Sequence, residues 1–427
     1  MGSLDAALSV GPSAQGWFRN VTDNPYEGRD ASDRRRAGQA RIHRPFRLRF
    51  GTGLGGALPW NPPHGTLSRM PRPLPDVLRC DWPADAADPP AATRAALERA
   101  AVILREGGLV AFPTETVYGL AADALDATAV AGIFRAKGRP ADNPLIVHVA
   151  DVAMARGLAR HWPAAAERIA AGLWPGPVTV VVPRVAGVPD IVTAGGDTVA
   201  VRCPASRLAR WLIAATGRPL AAPSANRSEA VSPTTAQHVL DSLGGRVDLI
   251  LDGGPCGHGI ESTVVDCTVT PPVILRPGPL ERPRLEEIVG GPVSWPEADP
   301  GAGSACGGGV PAAGPSRSPG SRPRHYAPRT PLEIPTGPVA RVAALLAEGQ
   351  RVGWLTRAAG TDAVRAVAGA PGLVVVPMPD EPAAFARVLY ATLHALDHRG
   401  LDRIVVDPPP DDESWRAVRD RLSRAAG

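Results

Sequence analysis

The chain is nearly free of lysine: of its 46 Lys and Arg residues all but Lys137 are arginine, in a length of 427. That scarcity excludes a phosphate-binding P-loop, because G-x-x-x-x-G-K-[ST] cannot be written around "FRAKGRP". Asn, Tyr, Phe and Met are also scarce while Ala, Gly, Pro and Arg abound, the bias of a GC-rich coding sequence. After Met70 the asparagines are Asn143 and Asn226, and the tyrosines are Tyr118, Tyr326 and Tyr390. Cys80, Cys203, Cys256, Cys267 and Cys306 form no CxxC pair and no zinc spacing, so a reducing compartment is expected rather than a disulfide framework. No run of 18 apolar residues and no signal pattern occurs, so a cytoplasmic protein with no membrane contact is expected.

The charge is uneven. Residues 1–70 hold ten arginines against five acids, whereas the remaining 357 hold 36 bases against 37 acids. The body is neutral, and composition demands no large nucleic-acid footprint. Residues 1–75 show no sustained period and are expected to be a disordered or non-native extension, with Met70 an alternative start. Their G-x-G-x-x-G (Gly51, Gly53, Gly56) runs into "ALPWNPP", which cannot open the helix a dinucleotide site needs.

Residues 76–290 read as one α/β domain on a twisted open sheet. Its apolar β runs are "GLVAFPTE", "PLIVHV", "VTVVVP", "DTVAVRCP", "DLILDGG", "STVVDCT" and "PVILRPG", with helices at 93–105, 127–137, 205–215 and 234–243 among them. A Pro/Gly/Ser/Ala linker follows within 291–331. Residues 332–427 resume the alternation, as expected of a small doubly wound second domain, and show no evident catalytic cluster.

Scarce residues concentrate at polar interruptions of this pattern. Asp126 caps the helix "ATAVAGIFRAK" and Gly138 ends it. Lys137 continues the Val130, Ile133 and Phe134 stripe, so its side chain either snorkels out or points into a polar cleft. A helix-terminal cation would serve equally well as arginine, so the retained lysine marks a place where a guanidinium does not fit. Arg139, Asn143 and strand residue His148 follow. In "APSANRSEAVSP", Ser224 and Asn226 leave a strand, and Ser232 with Pro233 reads as a helix start. Thr114, Thr116, Arg202, Ser262 and Arg276 fall at strand ends, where ligands of open α/β sheets gather.

Together "PTETVYGL", "FRAKGRPADNPLIVH", "WPGPVTVVV", "VAVRCP", "APSANRSEAVSPT", "GIESTVVD" and "ILRPG" resemble, in order, the YrdC/Sua5 family of threonylcarbamoyl-AMP synthases over about residues 93–282. "SPGSRPRHYAPRTP" and "LYATLHALDHRGLDRIVVDPPPDD" resemble the linker and C-terminal domain of its two-domain Sua5 branch. The resemblance implies a YrdC-like sheet plus a small Rossmann-like C-terminal domain. It also implies that L-threonine, bicarbonate and ATP give threonylcarbamoyl-adenylate and pyrophosphate. The product would supply N6-threonylcarbamoyladenosine 37 of tRNA through a separate transferase complex, with room for a weak tRNA contact.

By the same resemblance Lys137 and Arg139 are the catalytic cations. Arg139, Asn143, Ser224, Asn226, Ser232, Arg276 and Tyr326 would hold ATP. Thr116, His148, Arg202 and Ser262 would hold threonine, with Thr114 open as the main threonine contact instead of Thr116. Mg²⁺ would ride on the phosphates without a protein cage. The competing expectations are a double-stranded RNA-binding module, a carbamoyl-transfer maturation factor and a regulatory protein with a dead site.

Overall fold

The computed structural model describes residues 73–296 and 324–427, apart from 359, 366 and 368. The Gly51–Gly56 motif, Met70, Cys306 and most of the linker lie outside the described residues. Within them, ten strands form one mixed sheet: β1 (Asp76–Arg79), β2 (Val110–Phe112), β3 (Gly119–Asp123), β4 (Ile146–His148), β5 (Val178–Pro183), β6 (Thr198–Arg202), β7 (Leu220–Ala221), β8 (Leu249–Asp252), β9 (Thr263–Asp266) and β10 (Val273–Arg276). Their order is β1-β8-β2-β3-β7-β4-β6-β5-β9-β10. The seven apolar runs each contain one of these strands.

Period-two alternation sorts the two faces of the sheet. Val147, Val178, Val180, Val182, Val199, Val201 and Val265 enter the main core, under helices that include Ala127–Lys137, Ala164–Leu173 and Arg282–Val289. On the opposite face, helices Ala91–Arg105 and Arg207–Thr216 pack on Val110, Phe112, Ala121, Leu220, Leu249 and Leu251. Those two helices cover only the β1–β7 half of the ladder. Over β4, β6, β5, β9 and β10 this face carries the alternate residues Ile146, His148, Ala200, Arg202, Thr179 and Val264. The gap left by the two helices is where polar side chains collect.

A second sheet is wholly parallel, in the order β11 (Leu332–Glu333), β14 (Arg403–Val406), β12 (Val352–Thr356), β13 (Leu373–Pro377). Val352 and Trp354 pack with Val342 and Leu345 on one face, while Gly353 lies against Leu396 and Leu401 on the other. Helices thus flank both sides, as a doubly wound unit requires. Helix Pro382–Asp397 of this part also lies against the first sheet's loops, where Arg387 Nε donates to Gly257 O at 2.8 Å.

Gly259 makes that approach feasible. It sits at φ +75°, and a Cβ there would stand 2.5 Å from Arg387 O. Gly259→Ala is therefore expected to lower stability by roughly 1–3 kcal/mol, through a strained backbone and a displaced helix. Urea titration checks this, and an unchanged midpoint would mean that the helix yields without cost.

Candidate active site

A cleft on the uncovered sheet face is lined by residues from at least five loops and strand ends, among them Thr116, Arg139, His148, Arg202, Ser224, Ser262 and Arg276, with Glu261 and Tyr326. His148, Arg202 and Arg276 are the last residues of β4, β6 and β10, and Ser262 immediately precedes β9. His148 and Arg202 are register partners, so the parallel β4–β6 pair sets them side by side.

Arg202 is fixed from three directions. Its Nη1 donates to Thr116 Oγ1 at 2.9 Å, its Nε to Gly176 O at 3.3 Å, and its Nη2 lies 2.6 Å from Glu115 Oε1. Burial would push the Glu115 carboxyl up, but the Arg202 charge and the Ala205 amide outweigh it and hold the group at about 2. Burial, and next the Arg202 charge, bring His148 down to about 3, so its imidazole is neutral at pH 7. Thr114 is spent on its own turn, donating to Val117 O at 2.6 Å and accepting from two backbone amides. Of the two threonines, Thr116 is the one whose hydroxyl meets the buried guanidinium.

Ser262 links this group to a second one. Its hydroxyl is 2.8 Å from Thr179 Oγ1, and its carbonyl accepts from Arg276 Nη2 at 2.9 Å. Arg139 Nη2 donates to Asn143 Oδ1 at 2.5 Å and to Pro144 O at 2.7 Å. Tyr326, at φ +60°, is 1% exposed, with a hydroxyl that has no hydrogen-bond partner among the described residues. Its segment is pinned by Ala327 N on Glu229 O and His325 N on Arg424 O.

Four of the expected residues stand behind the wall of the cleft. The Asp126 side chain accepts from Thr128 N and Ala129 N, and Gly138 at φ +64° ends the helix as the sequence suggests. Lys137 is 3% exposed, and its ammonium donates to Ser224 O and Asn226 O, both at 2.5 Å, with Asn226 Oδ1 at 3.5 Å. Burial and the neighbouring Arg139 charge push its pKa down, while Glu261 opposes them. Asn226 holds its own loop, donating to Arg227 O and Ala230 O. Asn143 is engaged by Arg139.

Ser232 corrects the sequence reading. The helix starts at Ala236 with Thr235 as its cap, and Ser232 instead donates to Glu261 Oε1 at 2.6 Å. The hydroxyl thus gives its proton to a buried carboxylate, a charge-assisted hydrogen bond stronger than the one it would accept from a backbone N–H as a cap. Glu115 and Glu261 escape the sequence reading, although each is an acid inside one of the motifs. So does the contribution of the second domain, whose Tyr390 and Arg421 both reach Glu261.

Among the described residues no group of His, Cys, Asp or Glu has the arrangement of a metal site. The cleft carboxylates are already engaged: Glu115 by Arg202 and Ser206 N, Glu261 by Ser232, Tyr390 and Arg421. No helix of the described residues is long and apolar enough to cross a membrane.

Comparison with known proteins agrees with this geometry. The Sua5/YciO/YrdC family model, described as telomere recombination, matches residues 102–278. A model described as the threonylcarbamoyl-AMP synthase C-terminal domain matches residues 282–427. The threonylcarbamoyl-AMP synthase of Pyrococcus abyssi is 42% identical over 336 residues, covering 77% of this chain and 93% of its own. That of Bacillus subtilis is 39% identical over 351 residues, covering 81% and 97%. The crystal structure of P. abyssi Sua5 complexed with L-threonine superposes with a TM-score of 0.70 at 39% identity, over 82% of this chain and 97% of that one.

The two depressed carboxylates predict acid sensitivity. Glu115 and Glu261 both fall from 4.5 to about 2 on folding, so they stabilise the fold above pH 4.5, and that stability drains as pH falls toward 2. Glu115→Gln is expected to be less stable at neutral pH, with Arg202 left unpaired, yet to lose less between pH 4.5 and 2 than the parent. Equal losses in acid-dependent denaturation curves would mean that Glu115 is not held ionised by Arg202.

Proposed function

The chain belongs to the Sua5/YrdC family of threonylcarbamoyl-AMP synthases, and from its site we infer that it condenses L-threonine, bicarbonate and ATP into threonylcarbamoyl-adenylate, pyrophosphate and water. The observation that carries this reading is a cleft walled by Arg139, Arg202 and Arg276, backed by the buried Lys137, on one sheet face. Two anions, a carbamate and a triphosphate, must meet there despite their repulsion, and such a field offsets it.

Threonine occupies the Thr116–Arg202 group in this reading. Arg202 donates hydrogen bonds to Thr116 and Gly176 and pairs through Nη2 with Glu115, and its remaining N–H groups are the donors a substrate carboxylate would take. Neutral His148 and the Ser262 hydroxyl supply hydrogen bonds rather than charge. The cationic surroundings also lower the pKa of the threonine amine, favouring the unprotonated form that takes up CO₂ or bicarbonate to give the carbamate.

A carbamate oxygen then attacks the α-phosphorus of ATP, and pyrophosphate leaves in line. Such a transfer depends on positioning and charge neutralisation rather than on covalent help. Arg139 and Arg276 act directly on the nucleotide, with Ser224 beside them and Tyr326 covering them against water. Asn143 holds Arg139, and Asn226 with Lys137 shapes the Ser224 turn. Approaching phosphate favours the charged form of Lys137 and so opposes the burial that depresses its pKa. Mg²⁺, where it accompanies ATP, would be carried by the phosphates, since the described cleft carboxylates, Glu115 and Glu261, are already engaged. The four described cysteines are free and buried, which suits a cytoplasmic enzyme. Its adenylate would pass to a tRNA-modifying transferase.

Pyrophosphate release from ATP is expected to need both L-threonine and bicarbonate, falling to background when either is omitted. Release that needs neither, or salt-dependent RNA binding without release, would sink the assignment. Lys137→Arg should lower turnover by on the order of tenfold or more, because a planar fork cannot take the place of an ammonium among three oxygens. Near-parental turnover in that variant would show that the lysine is dispensable.

A further inference from the structure

The second sheet supplies none of the groups assigned above except through the segment that leads into it, yet two of its helices reach the wall of the cleft. Arg421 lies on helix Arg416–Ala426 within an otherwise apolar buried stripe of Ala417, Val418, Leu422 and Ala425. It is 1% exposed. Its Nε donates to Glu261 Oε2 at 2.8 Å, its Nη2 to Pro277 O at 3.0 Å, and its Nη1 to Asp420 Oδ2 at 2.6 Å. One guanidinium therefore ties together the loop carrying Glu261 and the strand end carrying Arg276.

Helix Pro382–Asp397 adds two contacts of the same kind. Tyr390 OH donates to Glu261 Oε2 at 3.1 Å, and His394 Nε2 lies 3.1 Å from Ser232 O. The other oxygen of Glu261 accepts from Ser232 Oγ. Glu261 thus has one oxygen turned to the second domain and one to the catalytic loop.

Tyr326 is held by the same residues: its ring stacks on Tyr390 at 5.8 Å between centroids, and the Arg421 guanidinium lies 5.1 Å from it. The Tyr326 hydroxyl, buried without a partner among the described residues, lies in a residue that lines the cleft, as a group reserved for a ligand does.

A purely structural account of Arg421 is weak. Apolar residues of similar volume commonly fill such an interface as stably as a buried ion pair does, so stability alone does not call for an arginine there. The Glu115–Arg202–Thr116 group, by contrast, is fixed by Gly176 and Ser206, both within the first sheet's part of the chain.

The geometry points to Arg421 and Tyr390 as positioning residues for the nucleotide side of the site, acting through Glu261 to set Ser232, Arg276 and Tyr326. This rests on the assignment of that side to ATP. The second domain thereby bears directly on one substrate's pocket and reaches the other's only indirectly, through Ser262 and the loop at Gly257.

Equilibrium dialysis of the full chain with labelled MgATP, in saturating L-threonine, and separately with labelled L-threonine tests it. Arg421→Met is expected to weaken ATP binding by about tenfold, the loss of a charge-assisted hydrogen bond, with Arg421→Lys recovering part of it. Tyr390→Phe, which removes one hydroxyl, should weaken it a few-fold. The threonine constant should stay within about twofold of the parent throughout. Thermal melts and circular dichroism establish folding, and if Arg421→Met does not fold, Tyr390→Phe and Arg421→Lys decide.

Folded variants with unchanged ATP binding overturn the inference, as does an equal weakening of both ligands, which a merely structural role would give. A parent chain that binds ATP but releases no pyrophosphate with threonine and bicarbonate refutes the assigned reaction and leaves this comparison valid. A parent that binds no ATP overturns both.

Discussion

The Glu261 carboxylate lies in the protein interior with Arg421 at 2.8 Å, and the cleft takes its shape from that buried charge. Taking an ion out of water costs several kcal/mol unless partners replace the water. Lys137, Arg139, Arg202, Arg276 and Arg421 are all buried, and the acids set among them include Glu115, Glu261 and Asp420. Backbone carbonyls make up much of the difference: those of Ser224 and Asn226 for Lys137, of Asn143 and Pro144 for Arg139, and of Ser262 for Arg276. A carbonyl solvates a cation without cancelling it. In a place of low dielectric, cations held in this way act on an arriving anion more strongly than they would at a surface.

How those cations are aimed follows from the sheet. Alternation sends valines of β4, β5, β6 and β9 into the main core and the residues between them toward the opposite face. Had a third helix covered that face over β4–β10, His148, Thr179 and Arg202 would have needed apolar replacements. Two helices stop short, and the second domain with its leading segment closes part of the space instead. The roof of the cleft is accordingly made of residues far along the chain from its floor.

That division also explains what is legible in the amino-acid order. The apolar runs and the Asp126 to Gly138 helix can be read because periodicity and capping are local. The motif residues can be read because each lies in a short, distinctive string. Short strands such as Leu220–Ala221 carry no periodicity of their own and exist only by pairing with β3 and β4. Helix Ala164–Leu173 buries mainly small side chains, Ala166 and Ala170 beside Ile169, so few bulky residues mark its inner face. Ser232 misleads because a Ser-Pro pair looks the same before a helix as before a turn, and its real partner is 29 residues away. Glu261 and Arg421 are 160 residues apart, so no pattern along the chain could join them.

The lone lysine is explained by the same limits of space. In a sequence that writes nearly every cation as arginine, most positions tolerate the exchange, because an exposed or carboxylate-paired cation accepts a fork as readily as a point. Lys137 faces two carbonyl oxygens and an amide oxygen converging on one nitrogen. A guanidinium spreads its donors in a plane several ångströms wide and cannot direct them to a single centre, whereas an ammonium rotates three donors about one atom. All three oxygens belong to Ser224 and Asn226, so the same contact sets the turn that brings Ser224 to the cleft. Compositional drift toward arginine stopped where the geometry needed a point charge rather than a plane.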